Sequence, residues 1–279
     1  MKYGHSISEW PFFIYMGPIG VFDSGVGGLS VWREIVKILP DESTLYYADS
    51  ANCPYGDKPQ AEIIRLAETV TCFLIEKGCS VIVVACNTAT AAAIDYLRSK
   101  YNIPFVGMEP AVKPAAINSV SGVIGILATQ GTFNGRLFHE TSSRFARDVK
   151  MIIQPGFGLV ELVEAGDFSS SKVSELLHKY IDPMMEAAAD HLVLGCTHYP
   201  FLAEAICEIT GGNIAIVDPA PAVAAQVKRI VSEYNQDSLR EPVSYDFFSS
   251  GDLLTLETIT RLISDKQGIT TSRLYFLED

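Results

Sequence analysis

Residues 80–90 have the sequence SVIVVACNTAT, and this stretch decides the fold. The run Val81–Val84 is apolar and β-branched, which is typical of a strand buried on both faces of a parallel sheet. The alanine-rich segment 89–93 predicts the first turns of a helix. Cys86 therefore lies between the carboxyl end of a strand and the amino end of a helix. Open α/β sheets bind ligands at such ends, and the unpaired N–H groups there favour a thiolate.

A second stretch, residues 192–200, repeats this arrangement with the sequence LVLGCTHYP. Cys196 follows an apolar run and precedes a helix that we predict over about 200–209. The chain therefore places two thiols at equivalent strand ends.

Strands and helices alternate along the whole chain. The alternation starts at residue 17, runs to residue 108 and restarts after Pro114 with the buried strand 122–129. This order predicts an α/β fold with two doubly wound parallel sheets, whose cores are joined at 109–114. Residues 1–17 precede the first strand as an extension. The segment after about 219 belongs to the second half or returns to the first, and the pattern alone does not decide between these.

Composition narrows the function. The chain has 279 residues, a net charge of −12 and 48% hydrophobic residues, which describes a globular protein without a broad nucleic-acid surface. The acidic balance disfavours an anionic membrane surface, and we expect no membrane span. The six cysteines form no C-x-x-C pair, which argues against zinc ribbons and thioredoxin-like sites. Free thiols in a reducing cytoplasm are the expectation, with a small molecule as the ligand.

Two thiols that face each other across a cleft suit stereoinversion by two bases. One takes a proton from a carbon atom, and the other returns a proton to the opposite face. His198, two residues beyond Cys196, is placed to act as the base or proton partner of that thiol. By contrast, we interpret Cys72, Cys79 and Cys207 as small buried hydrophobic residues.

A glycine-rich turn, Ser24–Gly28, follows the first strand. It lacks the full G-x-G-x-x-G pattern, so we expect no dinucleotide cofactor. No lysine has a setting suited to pyridoxal phosphate, and we assign no cofactor and no metal ligands. Asp23, just before the turn, either caps the next helix or takes part in the chemistry, and spacing alone supports both equally.

Small polar side chains follow several of the predicted strands. They offer hydroxyl and amide donors for a carboxylate: Asn87, Thr88, Thr129, Thr132 and Thr197. No arginine lies beside these motifs, so capture of a carboxylate would depend on such donors and on backbone N–H groups. Glu161 and Glu164 are most simply the solvated face of a helix.

Together these motifs resemble the glutamate racemases of the aspartate/glutamate racemase superfamily. The matching pieces occur in the family's order over about 19–200: IGVFDSGVGGLSV at 19–31, CPYG at 53–56, VACNTAT at 84–90, ATQGT at 128–132, ELVEAG at 161–166 and GCTHYP at 195–200. The resemblance implies a cofactor-independent enzyme that interconverts L- and D-glutamate at a cleft between two α/β domains. It also implies a supply of D-glutamate for peptidoglycan, hence for cell wall biogenesis and cell shape.

The resemblance assigns roles to five side chains. Cys86 matches the thiol that acts on D-glutamate, and Cys196 matches the thiol that acts on L-glutamate. Asp23 matches the acid near the first thiol. His198 matches the histidine that assists the second thiol, and Glu164 matches the glutamate that supports this histidine, in place of a solvated position.

The resemblance also implies which residues bind substrate and how the domains are composed. Nine positions match the substrate site: Ser24, Pro54, Tyr55, Gly56, Asn87, Thr88, Thr129, Thr132 and Thr197. The first domain would comprise 19–111 and 220–279, the second 112–219, and residues 1–18 would be an extension outside the motifs. A homodimer is expected. Cys53, just before Pro54, has no evident catalytic need.

Three other functions stay open at this point. Aspartate or another amino acid is the alternative substrate within the superfamily. A non-catalytic carboxylate-binding protein could use the same cleft. A thiol redox protein could use the same cysteines.

Overall fold

The computed structural model describes residues 17–109, 111–234, 242–269 and 274–277. Ten strands and eleven α-helices alternate over this part of the chain. The strands are β1 (Ile19–Asp23), β2 (Thr44–Ala48), β3 (Val81–Val84), β4 (Phe105–Gly107), β5 (Val123–Ala128), β6 (Lys150–Pro155), β7 (His191–Gly195), β8 (Ala215–Val217), β9 (Tyr245–Ser249) and β10 (Leu274–Leu277).

The helices connect these strands and cover the sheets. They are α1 (Leu29–Ile38), α2 (Gln60–Glu76), α3 (Asn87–Lys100), α4 (Val112–Asn118), α5 (Gln130–Phe133), α6 (Arg136–Phe145), α7 (Leu159–Glu164), α8 (Ser171–Glu186), α9 (Ala203–Thr210), α10 (Ala220–Tyr234) and α11 (Leu253–Gln267). Within the described ranges, no helix combines the length and apolar character that crossing a membrane requires.

The larger sheet has six strands in the order β10-β9-β2-β1-β3-β4, and all neighbouring pairs are parallel. From β1 the chain moves first to β2 on one side and then to β3 on the other side. Strand order therefore reverses beside β1, which opens a crevice between the carboxyl ends of β1 and β3. All residues of these two strands are buried, as the apolar run at 81–84 predicts.

The smaller sheet has four parallel strands in the order β6-β5-β7-β8. The chain again moves to one side of β5 and then to the other, so a second crevice lies between the carboxyl ends of β5 and β7. Each sheet thus has one reversal point. The fold class is confirmed: the chain forms two α/β domains with parallel sheets.

The carboxyl-terminal part of the chain returns to the larger sheet. β9 pairs with β2, and β10 pairs with β9. The pattern left this return open, and the resemblance implied it; β10 itself has no counterpart among the predicted strands. The residues at which the two domains meet stay a prediction. The predicted extension 1–18 lies outside the described residues except for Gly17 and Pro18.

One predicted helix differs in its first turn. The segment Tyr199–Leu202 is a 3-10 helix, and α9 begins only at Ala203. Pro200 lacks a backbone N–H, which suits a short tight turn at this position. Cys196 is therefore followed by a 3-10 turn, whereas Cys86 directly precedes an α-helix.

Candidate active site

The two crevices face each other. Asp23 is the last residue of β1, and Cys86 follows β3 at the same crevice. Thr129 and Cys196 follow β5 and β7 at the other crevice. Hydrogen bonds connect the two sides: Thr197 Oγ1 donates to Asp23 Oδ2 at 3.2 Å, and the hydroxyls of Thr88 and Thr129 lie 2.8 Å apart. The sequence predicted both thiols at strand ends, and the structure brings their surroundings into one site.

Cys86 is the N-cap residue of α3. Its Sγ accepts the backbone N–H of Ala89 at 3.4 Å and lies 3.8 Å from the hydroxyl of Ser24. The side chain is buried. Burial and the negative charge of Asp23 raise the pKa of Cys86 well above its usual value, and the Ala89 N–H offsets only part of this. The helix end therefore lowers this pKa as expected, but burial and the charge of Asp23 outweigh its effect.

Asp23 caps the following helix, one of the two roles that spacing left open, and it also lies close to the first thiol. Its Oδ2 accepts the backbone N–H of Gly28 at 2.7 Å, immediately before α1 begins, and it also accepts the hydroxyl of Thr197. Burial raises the pKa of Asp23, and the charge of His198 opposes this effect. Asp23 therefore caps the start of α1 and also stands beside the first thiol as a fully buried carboxyl group.

Cys196, His198 and Glu164 lie in contact one after another. Its Sγ lies 3.6 Å from Nδ1 of His198, and Nε2 of His198 lies 2.6 Å from Oε1 of Glu164. The same oxygen of Glu164 accepts the backbone N–H of Val26 at 2.8 Å. Glu164 is thus held at the end of α7, and its interpretation as a solvated residue is wrong: its side chain is 19% exposed.

The histidine and the glutamate stabilise each other's charged forms. Burial lowers the pKa of His198, but contacts with Cys196, Cys53 and Glu164 outweigh burial, so this pKa lies well above its usual value. Burial likewise raises the pKa of Glu164, and the bond to His198 outweighs it, so this pKa is lowered. These contacts favour the imidazolium form of His198, and a positive charge there would attract negative charge to the sulfur of Cys196.

The glycine-rich turn of the first half supports this pair from the other side. A Cβ atom at Gly25 would lie 1.9 Å from Oε1 of Glu164, and one at Gly27 would lie 2.3 Å from Nδ1 of His198. Real Cβ contacts are not this short, so only glycine lets the backbone come this close. The turn is thus a wall of the site.

A row of hydroxyls and one amide lie at the strand ends of the site. Thr129 Oγ1 lies 2.8 Å from Thr88 Oγ1 and 2.9 Å from Thr132 Oγ1. Asn87 is 4% exposed, and its Oδ1 has no hydrogen-bond partner among the described residues. Since a buried amide oxygen without a partner is costly, Asn87 is suited to accept a donor from a ligand.

The motif Pro54–Gly56 also reaches the site, in part. Gly56 packs against Thr129, because a Cβ atom there would lie 3.1 Å from the Cβ of this threonine. Tyr55, however, is buried and donates its hydroxyl to Asp49 at 2.5 Å. Tyr55 therefore anchors the loop, and the backbone around Gly56 is the part that faces the hydroxyl row.

Cys53 is a member of the site that sequence reasoning missed. Its Sγ, a carboxylate oxygen of Glu164 and a ring nitrogen of His198 lie within 4.8 Å of one another. Burial raises the pKa of Cys53 to about 11. The only signal in the sequence is its position next to Pro54–Gly56, because nothing in the spacing relates residue 53 to residue 198.

Comparisons with known proteins agree with this arrangement. The sequence profile of the Asp/Glu/Hydantoin racemase family matches residues 19–227. A glutamate racemase from Herpetosiphon aurantiacus is 49% identical over 215 residues, which cover 77% of this chain and 85% of that protein.

Solved structures agree as well. Glutamate racemase from Bacillus anthracis superposes with a TM-score of 0.81 at 28% identity, covering 94% of this chain and 97% of that one. Glutamate racemase from Escherichia coli, solved with L-glutamate and the activator UDP-MurNAc-Ala, gives 0.79 at 32% identity, covering 94% and 98%. This chain belongs to the Asp/Glu/Hydantoin racemase family and, within it, to the glutamate racemases.

Proposed function

We propose that this protein interconverts L- and D-glutamate by a two-base mechanism in which Cys86 and Cys196 are the bases. The observation that carries the proposal is the pair of buried thiols at the reversal points of two facing parallel sheets. Each thiol has its own proton partner, Asp23 for the first and His198 for the second. Such a pair can remove a proton from one face of a carbon and return one to the other face.

The protons balance in each direction. With L-glutamate, the Cys196 thiolate takes the proton from Cα, and the Cys86 thiol donates its proton to the opposite face of Cα. The product is D-glutamate, with Cys86 now a thiolate and Cys196 a thiol. The reverse reaction uses these forms. Burial and Asp23 raise the pKa of Cys86, which suits this thiol to donate a proton in the L-to-D direction.

The α-proton of an amino acid is poorly acidic, so the site must stabilise the carbanion. We assign this task to donors at the α-carboxylate: Asn87, Thr88, Thr129, Thr132 and Thr197. Ser24 and the loop Pro54–Gly56, which Tyr55 anchors, complete the proposed substrate site. The hydroxyls of Thr88, Thr129 and Thr132 already lie in one hydrogen-bonded row. Fixed donors in a buried site stabilise developing charge without reorganisation, and the reaction itself moves protons alone.

The biological setting is part of the proposal. D-Glutamate made in the cytoplasm would supply peptidoglycan synthesis, as the resemblance to glutamate racemases implies. We also retain the homodimer and the division into 19–111 with 220–279 and 112–219. Strand pairing supports this division, since β9 and β10 belong to the larger sheet.

The test is an assay of the purified chain with no added cofactor. Circular dichroism should follow loss of optical rotation from both L- and D-glutamate, and aspartate should react far more slowly. In heavy water, the product should carry deuterium at Cα while the remaining substrate stays unlabelled early in the reaction. A protein that only binds carboxylates would give no deuterium label. Faster turnover of aspartate would make aspartate the substrate. Early labelling of the remaining substrate would argue against a two-base mechanism.

A further inference from the structure

Cys53 lies close to His198 and Glu164 but has no role in the proposed mechanism. Its Sγ, a carboxylate oxygen of Glu164 and a ring nitrogen of His198 lie within 4.8 Å of one another. The three residues come from separate places in the chain: the loop after β2, the end of α7 and the loop after β7. The fold therefore assembles a thiol, a carboxylate and an imidazole at one point.

This set of donors is suited to a thiophilic divalent cation. Zn²⁺ binds Cys sulfur, His nitrogen and carboxylate oxygen in a tetrahedron with bond lengths of about 2.0–2.3 Å. Neighbouring ligand atoms of such a tetrahedron are about 3.3–3.8 Å apart, from the same bond lengths. Because the three atoms already lie within 4.8 Å of one another, small side-chain movements would complete the geometry. Mg²⁺ prefers oxygen ligands and is poorly matched here.

Two of the three groups are partly exposed to solvent. The Glu164 side chain is 19% exposed, and Cys53 is half-buried, whereas His198 is only 2% exposed. The ligands must lose their protons on binding, and the proton shared between Nε2 of His198 and Oε1 of Glu164, 2.6 Å apart, is one of those displaced. Binding would therefore take the histidine away from its present partner.

We propose that Cys53, Glu164 and His198 form an inhibitory site for one thiophilic divalent cation such as Zn²⁺. The cation binds the Cys53 thiolate, the Glu164 carboxylate and a ring nitrogen of His198, and it releases protons to solvent. Its inhibitory effect rests on the proposed function, because His198 and Glu164 can no longer assist Cys196 when they bind the cation. Cation binding itself does not depend on the reaction.

Co²⁺ and Zn²⁺ test the site directly. The wild-type chain, freed of metal, is titrated with Co²⁺; we expect one equivalent to produce a thiolate-to-cobalt charge-transfer band that Zn²⁺ abolishes. Cys53→Ala should lose the band. Cys207 is exposed, so its expected burial is wrong, and Cys207→Ala should keep the band because this thiol lies outside the cluster. In the racemase assay, the Zn²⁺ concentration that halves the metal-free rate should rise at least tenfold in Cys53→Ala, and Mg²⁺ should not inhibit.

Four results would overturn the proposal: no band in the wild type, a band that survives Cys53→Ala, a band lost in Cys207→Ala, or equal inhibition by Mg²⁺. Loss of the band in Cys196→Ala but not in Cys53→Ala would place the cation on the proposed catalytic thiol instead. Thermal melts show whether each variant is folded. If Cys53→Ala is unfolded, Cys53→Ser is tested in its place and should also lose the band. A metal-free chain that does not racemise glutamate contradicts the proposed function alone, because the band still reports binding.

Discussion

The surroundings of Cys86 and Cys196 show how one fold supports two thiols by different means. Each thiol follows a buried strand beside a point where strand order reverses. Cys86 caps an α-helix and has a buried carboxyl group as its neighbour, whereas Cys196 precedes a 3-10 turn and faces an imidazole. A reaction between mirror-image molecules thus does not require mirror-image surroundings.

The difference between the two thiols is also electrostatic. Asp23 disfavours negative charge on Cys86, and burial adds to this effect. His198, held by Glu164, attracts negative charge at Cys196. The two thiols therefore have unlike electrostatic surroundings.

Each half of the protein also donates a hydrogen bond to a site residue of the other half. Thr197, beside the second thiol, donates to Asp23 beside the first. Val26, in the glycine-rich turn of the first half, donates its N–H to Glu164 of the second half. The proton partner of each thiol is therefore correctly placed only when the two halves are together.

The largest expected effect tests whether both thiols are required. Cys86→Ala and Cys196→Ala should each lower kcat by about 10²–10⁴-fold, the usual contribution of a general acid or base. The measurement is racemisation of L- and D-glutamate by circular dichroism, with Cys207→Ala as the control that keeps its activity. Full turnover by either single variant would contradict the requirement for both thiols.

A second, smaller effect should distinguish the two sides. Asp23→Asn should slow the step at Cys86, and His198→Asn should slow the step at Cys196, each by about 10²-fold. Since the enantiomers are equally stable, kcat/KM must fall equally in both directions. The asymmetry should instead appear in the isotope effect on kcat/KM, because each variant slows the removal of the proton by one thiol. Asp23→Asn should raise this effect for α-deuterated D-glutamate. His198→Asn should raise it for α-deuterated L-glutamate. The same pattern in both variants would contradict the assignment.

Glu164→Gln should destabilise the fold in a limited pH window. The folded pKa of His198 is raised, so its contribution is full below its unfolded pKa of about 6.5 and is lost as pH rises through the folded value. The folded pKa of Glu164 is lowered, so its contribution is full above about 4.3 and is lost as pH falls through the folded value.

The loss of unfolding free energy should therefore be greatest between about pH 4.3 and 6.5. It should reach about 2 kcal/mol there, as for a hydrogen bond between charged groups. Urea unfolding at several pH values measures it. Glu161→Gln, an exposed neighbour on α7, is the control that should show little change. A loss that does not vary with pH would mean that the pair is not ionised.

The smallest effect concerns the connection between the halves. The hydroxyl of Ser30 is buried and donates to the backbone oxygen of Thr197 at 2.9 Å. Ser30→Ala should cost about 1 kcal/mol of unfolding free energy. Ser142 is also buried, but its hydroxyl has no partner among the described residues, so Ser142→Ala should cost nothing or stabilise. Equal losses in the two variants would argue against the connection.

Much of the fold was predictable because the strands of parallel sheets are continuous apolar runs. Val81–Val84 is the clearest case, and it also located Cys86. The last strand, Leu274–Leu277, was missed, since four residues at the edge of a sheet carry little pattern and their pairing with β9 depends on tertiary structure. The 3-10 turn before α9 likewise depends on local geometry at Pro200.

The site was predictable to the extent that its residues follow strands. Glu164 required the resemblance, because a glutamate on a helix face has the same local pattern whether water or a histidine lies opposite. Cys53 was missed for a related reason: its neighbours come from α7 and the loop after β7. The raised pKa of Cys86 was not foreseen, because a helix end is visible in sequence and the depth of burial is not.

The glycine-rich turn has a consequence for how this protein tolerates mutation. The backbone at Gly25 and Gly27 touches the carboxylate and the imidazole of the other half without offering any group to the reaction. Even the smallest side chain would push Glu164 away from His198 at the first position, or His198 away from Cys196 at the second. In a library of random variants, these two positions should therefore be as intolerant as the thiols themselves, and a mutational scan of the turn would report the fit between the halves.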